Sequence, residues 1–261
     1  VSAIAITYVG GPTALLEVAG LRLLTDPTFD QAGRKYNFGW GTSSRKLQSP
    51  ALTPAELGPV DAVLLSHDHH DDNLDDAGRE MLPSAGKVIT TPAGNRRLGG
   101  NSLGLAPWSS TTLRGPDGTE VRITATPCRH GPPLSRPIVG EVIGFVLEWE
   151  GQRDGAVWIT GDTVWFPGIP EVAERFDVGT AIVHLGGVGF PITGPARFTM
   201  NAAEAVRVAG DFELKTLVPI HYEGWKHFRQ GSAELESAFR EAGIEDRVRW
   251  LPTGKPLTLE V

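Results

Sequence analysis

Four apolar, strand-like segments of this chain each end on a side chain able to ligate a metal, and this repeated placement constrains the fold more than any other feature. DAVLLS (61 to 66) runs into His67-Asp68-His69-His70-Asp71-Asp72, VRITATP (121 to 127) into Cys128-Arg129-His130, AVWITG (156 to 161) into Asp162, and KTLVPI (215 to 220) into His221. A lone histidine at a strand end is commonly a hydrogen-bonded structural residue. Four strands doing the same thing require a sheet architecture that brings their carboxyl ends to one place. Imidazole nitrogen and carboxylate oxygen are donors that zinc and similar divalent ions take, so the shared place is expected to be a metal site.

The segments between these strands suggest how the sheets are built. Residues 4 to 26 read as a meander of about three strands separated by Gly10-Gly11-Pro12 and Ala19-Gly20 turns. The phrase LLEVAG, followed by a strand closing on Asp26, is echoed by VLEWEG and a strand closing on Asp162. This reads as a degenerate internal duplication. Two β-rich halves are most economically packed sheet on sheet with helices outside. Thr53-Pro54-Ala55-Glu56 and Asn201-Ala202-Ala203-Glu204 carry helix-start chemistry, and Ser232 to Ala242 before Gly243 gives a third helix. Further strands are expected at 87 to 91, 143 to 150 and 181 to 186, with a terminal pair from VRWLP to LTLEV. No linker-like tract divides the chain, so residues 1–261 are expected to form one domain. Residues 27 to 50 and 187 to 200 resist assignment and read as two lips, surface loops or substrate-facing ones.

Composition removes several function classes. Cys128 is the single cysteine, which excludes a disulfide scaffold and points to a cytoplasmic protein. A formal net charge of -7 without a basic block argues against long nucleic acid as a partner. No apolar run is long enough to span a bilayer, so the expected partner is a small-molecule substrate.

The order of these residues resembles that of the metallo-β-lactamase superfamily: an aspartate after an early strand, an H-x-H-x-D-H run, a lone histidine, a lone aspartate and a final histidine. Here these correspond to Asp26, His67 through Asp72, His130, Asp162 and His221. Within that superfamily LLTDPTF, LLSHDHHDDNLD and PIHYEGWKHF look most similar to the branch holding ascorbate-6-phosphate lactonases and N-acylphosphatidylethanolamine-hydrolysing phospholipase D. The resemblance implies an α+β fold, a four-layer αβ/βα sandwich of two mixed sheets with helices outside and a binuclear metal site at one edge. By the family pattern His67, His69 and His130 would hold the first ion, and Asp71, Asp72 and His221 the second, with Asp162 bridging. Position 72 departs from the pattern, being Asp where histidine is usual. The extra carboxylate leaves zinc as the expected ion, with manganese or iron, or a single ion, as alternatives. His70 falls on a variable family position and reads as a non-ligand, and Asp26 as a group that orients the ligand loop.

A bound divalent ion brings the pKa of water toward 7, so a metal-activated hydroxide is the expected nucleophile of a metal-dependent hydrolase. Asp71 is expected to orient it and to accept its proton, with His184 or His227 polarising a substrate oxygen or protonating a leaving group; structural roles for both histidines stay open. Cys128 reads as a packed thiol rather than a nucleophile. Three readings remain: hydrolysis of a small ester or lactone, a phosphodiesterase of the same fold, and a non-catalytic metal-binding module.

Overall fold

The computed structural model describes residues 2–261. A seven-stranded sheet runs, edge to edge, through Pro256–Glu260, Ala3–Gly10, Thr13–Val18, Leu21–Thr25, Ala62–Leu64, Lys87–Thr90 and Ser102–Gly104. A six-stranded sheet runs through Thr216–Ile220, Val178–His184, Ala156–Ile159, Ile143–Glu148, Glu120–Pro127 and Ser110–Arg114. Both sheets mix parallel and antiparallel pairs.

Side-chain alternation explains why these strands read as continuous apolar text. Ile4, Ile6, Leu16, Leu23 and Leu64 of the first sheet meet Ile123, Phe145, Leu147, Ile159, Ile182, Val218 and Ile220 of the second in one inter-sheet core. The intervening residues are buried too, on the outer faces. Val146, Trp158, Val183 and Leu217 pack beneath the helices Gly168–Arg175, Ala202–Asp211 and Ser232–Glu241. Leu15, Leu24, Val63, Leu65 and Val88 pack beneath Leu57, Leu74 and Leu82 on the other side. Strands buried on both faces lose the polar alternation of a one-sided sheet. This is the four-layer metallo-β-lactamase fold that the resemblance implied.

The two phrases of the suspected duplication occupy equivalent places. Thr13–Val18 pairs antiparallel with Leu21–Thr25, which pairs parallel with Ala62–Leu64. Ile143–Glu148 pairs antiparallel with Ala156–Ile159, which pairs parallel with Val178–His184. The second strand of each hairpin is followed by a buried aspartate, Asp26 or Asp162.

The two expected helix starts are reciprocal capping boxes, Thr53 with Glu56 and Asn201 with Glu204. The expected terminal strand pair does not form: Val248 makes an isolated bridge to Leu217, whereas Pro256–Glu260 pairs with the first strand. Pro252 and Gly254 interrupt the run between them. The lip at 27 to 50 contains a two-stranded hairpin, Lys35–Gly39 with Thr42–Arg45, turned by Trp40 and Gly41 at positive φ. No described helix is long and apolar enough to cross a membrane.

Candidate metal centre

The residues that follow the strand ends converge on one buried edge of the sandwich. Single donor atoms of Asp72, Asp162 and His221 lie within 4.8 Å of one another, as do those of His67, His130 and Asp162. Asp162 therefore belongs to both sets. His67, Asp72, His130, Asp162 and His221 are all buried, although burying ionisable groups without partners is costly.

Several of their polar atoms have no protein partner. Asp72 Oδ1, Asp162 Oδ1 and both ring nitrogens of His221 are buried and unbonded. The His221 ring nitrogens stand 3.7 Å from Asp72 Oδ2 and 3.8 Å from Asp162 Oδ1, too far for hydrogen bonds. Unsatisfied donors and acceptors of this kind are rare in native interiors. Two carboxylates and an imidazole, all with free lone pairs, form a donor set suited to a divalent cation, so these residues fit the group that the fold implies.

The electrostatics agree with that reading. Burial lowers His130 to about 4 and His221 to about 3, and burial reinforced by neighbouring imidazoles holds His67 and His70 well below the usual range. The rings are thus neutral at physiological pH, the form that donates a lone pair. Burial alone would raise Asp72, but its hydrogen bond from His227 and the nearby His227, His221 and His70 rings hold it well below the usual carboxylate range. Asp162 is pushed well above that range by burial and by the charges of Asp72 and Asp26. In the absence of a cation, two carboxylates in one dry space do not readily share negative charge.

The remaining site candidates lie around this centre. Asp26 accepts from the Ser66 backbone N–H at 2.7 Å, from His184 Nε2 at 3.2 Å and from Asn73 Nδ2 at 3.4 Å. His184 is fully buried, with its Nε2 on Asp26. His227 donates from Nε2 to Asp72 Oδ2 at 2.9 Å, while its Nδ1 meets Ser44 Oγ at 2.5 Å. Asp71 belongs to neither of the two sets; it is half-buried, and burial with the charges of Asp72 and Asp76 lifts it to about 6. Asp68 is buried and forms a two-pronged pair with Arg97. Cys128 is partly buried with its Sγ 3.2 Å from the Thr160 carbonyl, and burial raises its thiol well above the usual range.

His69 and His70 make different contacts in the ligand loop. His69 Nε2 is bonded to the Val139 carbonyl. His70, expected to be a bystander, places Nδ1 3.0 Å from His67 Nε2 and 3.2 Å from His130 Nε2. Nitrogen atoms of His67, His69 and His70 also lie within 4.8 Å of one another.

The two lips meet over the centre. Phe38 lies 5.5 Å from Phe190 and 5.9 Å from His70, centroid to centroid, and Phe190 stacks on His227 at 5.0 Å. They enclose a slot of about 90 Å³ whose walls include Phe38, Trp40, Ile138, Val188, Phe190 and Phe198, with His70, Asp72 and His130 also lining it. Sequence reading missed this slot and the contact between Asn73 and Asp26. The aromatic residues of the first lip were its only signal.

A family model described as a beta-lactamase superfamily domain matches residues 21–222. The chain is 26% identical over 257 residues to the UPF0173 metal-dependent hydrolase of Korarchaeum cryptofilum (strain OPF8), covering 97% of this chain and 99% of that protein. A possible metal-dependent hydrolase from Veillonella parvula DSM 2008 shares the fold with a TM-score of 0.82 at 18% identity, over 98% of this chain and 99% of that one. An isothiocyanate hydrolase from Delia radicum gut bacteria does so with a TM-score of 0.80 at 23% identity, over 98% of this chain and all (100%) of that one. With a family model spanning most of its length, the chain belongs to the beta-lactamase superfamily.

Proposed function

We propose that this metal-dependent hydrolase cleaves a small, uncharged ester or lactone carrying an apolar group. The observation that carries the reading is the pair of buried donor sets sharing Asp162 beside an aromatic slot that no described Lys or Arg lines. Divalent ions held there, zinc by the donor set, would supply Lewis acidity toward a carbonyl and acidify water at neutral pH. The chain's own residues do the rest. Asp26 anchors the ligand loop through Ser66, and His227 fixes the carboxylate plane of Asp72. Phe38, Phe190 and Phe198 seat the apolar part of the substrate and keep bulk water from the reacting bond. The likeness of LLTDPTF and PIHYEGWKHF to the lactonase branch supports the same substrate class.

A second reading, phosphodiester hydrolysis, has one observation in its favour. Lys35, Arg45, Lys226 and Arg229 line a larger cavity on the far side of His227 and Phe190, about 540 Å³, with no acidic residue among the lining groups. An anionic substrate would find its countercharge there.

The test is hydrolysis by the purified full chain of a lactone and aryl-ester panel beside bis-p-nitrophenyl phosphate, each with and without chelator. We expect turnover of the neutral substrates, abolished by chelation and restored by added divalent metal. Turnover confined to the phosphodiester would transfer the assignment to the second reading. Chelator-insensitive turnover would remove the metal from it.

The slot gives a further expected result. Phe38→Ala should raise KM for substrates with an apolar substituent by about 10-fold, consistent with about 1.5 kcal/mol for an aromatic contact. The value of kcat should change little, because Phe38 meets His70 and His227 by ring packing alone and offers no ligating or hydrogen-bonding atom. An unchanged KM would place the substrate elsewhere.

A further inference from the structure

We infer that the ligand loop of this protein is read one residue later than the family spacing. His70 rather than His69 completes the first cation position with His67 and His130. Asp72 rather than Asp71 supplies the carboxylate of the second, and Asn73 stands where the family's H-x-H-x-D-H run ends on histidine. The inference rests on the cation reading proposed above and assigns which side chains serve it.

Contact geometry separates the two neighbouring histidines. Two nitrogens sharing a zinc ion in a tetrahedral arrangement stand about 3.3 Å apart, given bond lengths of 2.0 to 2.1 Å. His70 Nδ1 stands 3.0 Å from His67 Nε2 and 3.2 Å from His130 Nε2. His69 instead commits Nε2 to the Val139 carbonyl, and its ring lies so close over Gly140 that a side chain there would collide with it. Its Nδ1 is buried and unpaired, with Asp68 Oδ1 4.0 Å away, so His69 is the competitor that the test must exclude.

The ring protons favour the same histidine. The Phe198 carbonyl can only accept, so His130 Nδ1, 2.7 Å from it, carries the ring proton and leaves Nε2 bare. One atom, His70 Nδ1, then faces both His130 Nε2 and His67 Nε2. A single proton on it can serve only one of them, and without a proton it meets the bare His130 nitrogen directly. A cation among the three removes the conflict.

The carboxylates shift in the same sense. Asp72 is buried in the set with Asp162 and His221, whereas Asp71 lies outside it, toward Asp76. Asn73 is fully buried, and its side-chain nitrogen reaches Asp26 Oδ2 and Ser66 Oγ at 3.4 and 3.5 Å. Relative to H-x-H-x-D-H, the run carries one extra residue between His67 and the ligating aspartate. The turn accommodates it, with Asn73 and Leu74 N–H groups both bonded to the His70 carbonyl.

The experiment is metal content by elemental analysis, with the visible spectrum of the cobalt-loaded protein, for the full chain and for the single variants His69→Asn, His70→Asn, Asp71→Asn and Asp72→Asn. His69→Asn and Asp71→Asn should keep the parent's metal content and cobalt spectrum. His70→Asn and Asp72→Asn should each lose about half of the metal, since removing a ligand empties one position of two. Loss in His69→Asn with retention in His70→Asn would overturn the register. Should His70→Asn fail to fold, His69→Asn decides alone, by retention or loss. A parent chain that takes up no divalent metal would instead overturn the cation reading itself.

Discussion

Asp162→Asn is expected to abolish hydrolysis, by about 10³-fold or more, while making the metal-free protein more stable rather than less. The two effects have one origin. Asp162 is the residue common to both donor sets, so its loss weakens both cation positions together. Its Oδ1 is nevertheless buried and unpaired without a cation, next to Asp72 and within the same interior as Asp26. An uncompensated buried carboxylate costs folding free energy, and a neutral amide of the same shape relieves it by about 1 to 3 kcal/mol. For a chain of this size that corresponds to a melting temperature higher by roughly 2 to 4 °C per kcal/mol in chelator.

Added metal reverses the order. Any ion that binds only the folded state stabilises it by RT ln(1 + [L]/Kd), so the parent should gain several degrees at saturating metal and the variant little. Thermal melts of both proteins, each with chelator and with excess zinc, read the crossing directly. A variant less stable than the parent in chelator would mean that Asp162 is a structural hydrogen-bonding group whose partners lie elsewhere, and the two donor sets would lose their common member.

The parts of this site legible in the sequence are those fixed by strand periodicity. A strand buried on both faces is a run of apolar residues, and the first ligand-type residue beyond its end lies at the edge of the sheet. His67, His130, Asp162 and His221 could be read in that way because each terminates such a run. Capping boxes at Thr53 and Asn201 were equally readable, since their hydrogen bonds involve only residues three apart. Turns have no such period. In His67 through Asn73, which of two adjacent side chains faces the centre depends on dihedral angles set by packing against His130 and Val139, 60 and 70 residues away in the chain from the histidines they meet. The helix Asp76–Met81 was hidden for a related reason: its N-cap, Asp75, looks like one more member of an acidic run. Asp75 in fact holds Gly78, the Phe29 and Asp30 N–H groups and the buried Lys46, tying the first lip to the ligand loop. The aromatic slot exists only because two lips about 150 residues apart in the chain close over one edge, as Phe38 against Phe190 shows.

Asp26→Ala should lower metal affinity by about 10- to 100-fold, the range for groups that orient metal ligands without touching the metal. Asp26 sits at φ 26 at the end of its strand, with its N–H bonded to the Leu64 carbonyl and its own carbonyl accepting from Thr13 Oγ1. The backbone is thus pinned on both sides, and the carboxylate is presented to the start of the ligand loop. Truncation leaves the buried Ser66 N–H and His184 Nε2 without acceptors, each costing about 1 to 3 kcal/mol. It also frees the segment from Ser66 onward, which delivers His67, His70 and Asp72. The ligands themselves remain, so excess metal should restore much of the activity, whereas no metal concentration should rescue Asp162→Asn. Asp26→Asn should recover part of the affinity, because its amide oxygen can still accept from Ser66. Competition against a chromogenic chelator measures the affinities, and activity against free metal concentration measures the rescue. Unaltered affinity in Asp26→Ala would show that packing alone holds the loop. Irreversible loss at saturating metal, in a variant that still folds, would place Asp26 among the groups that contact ion or substrate.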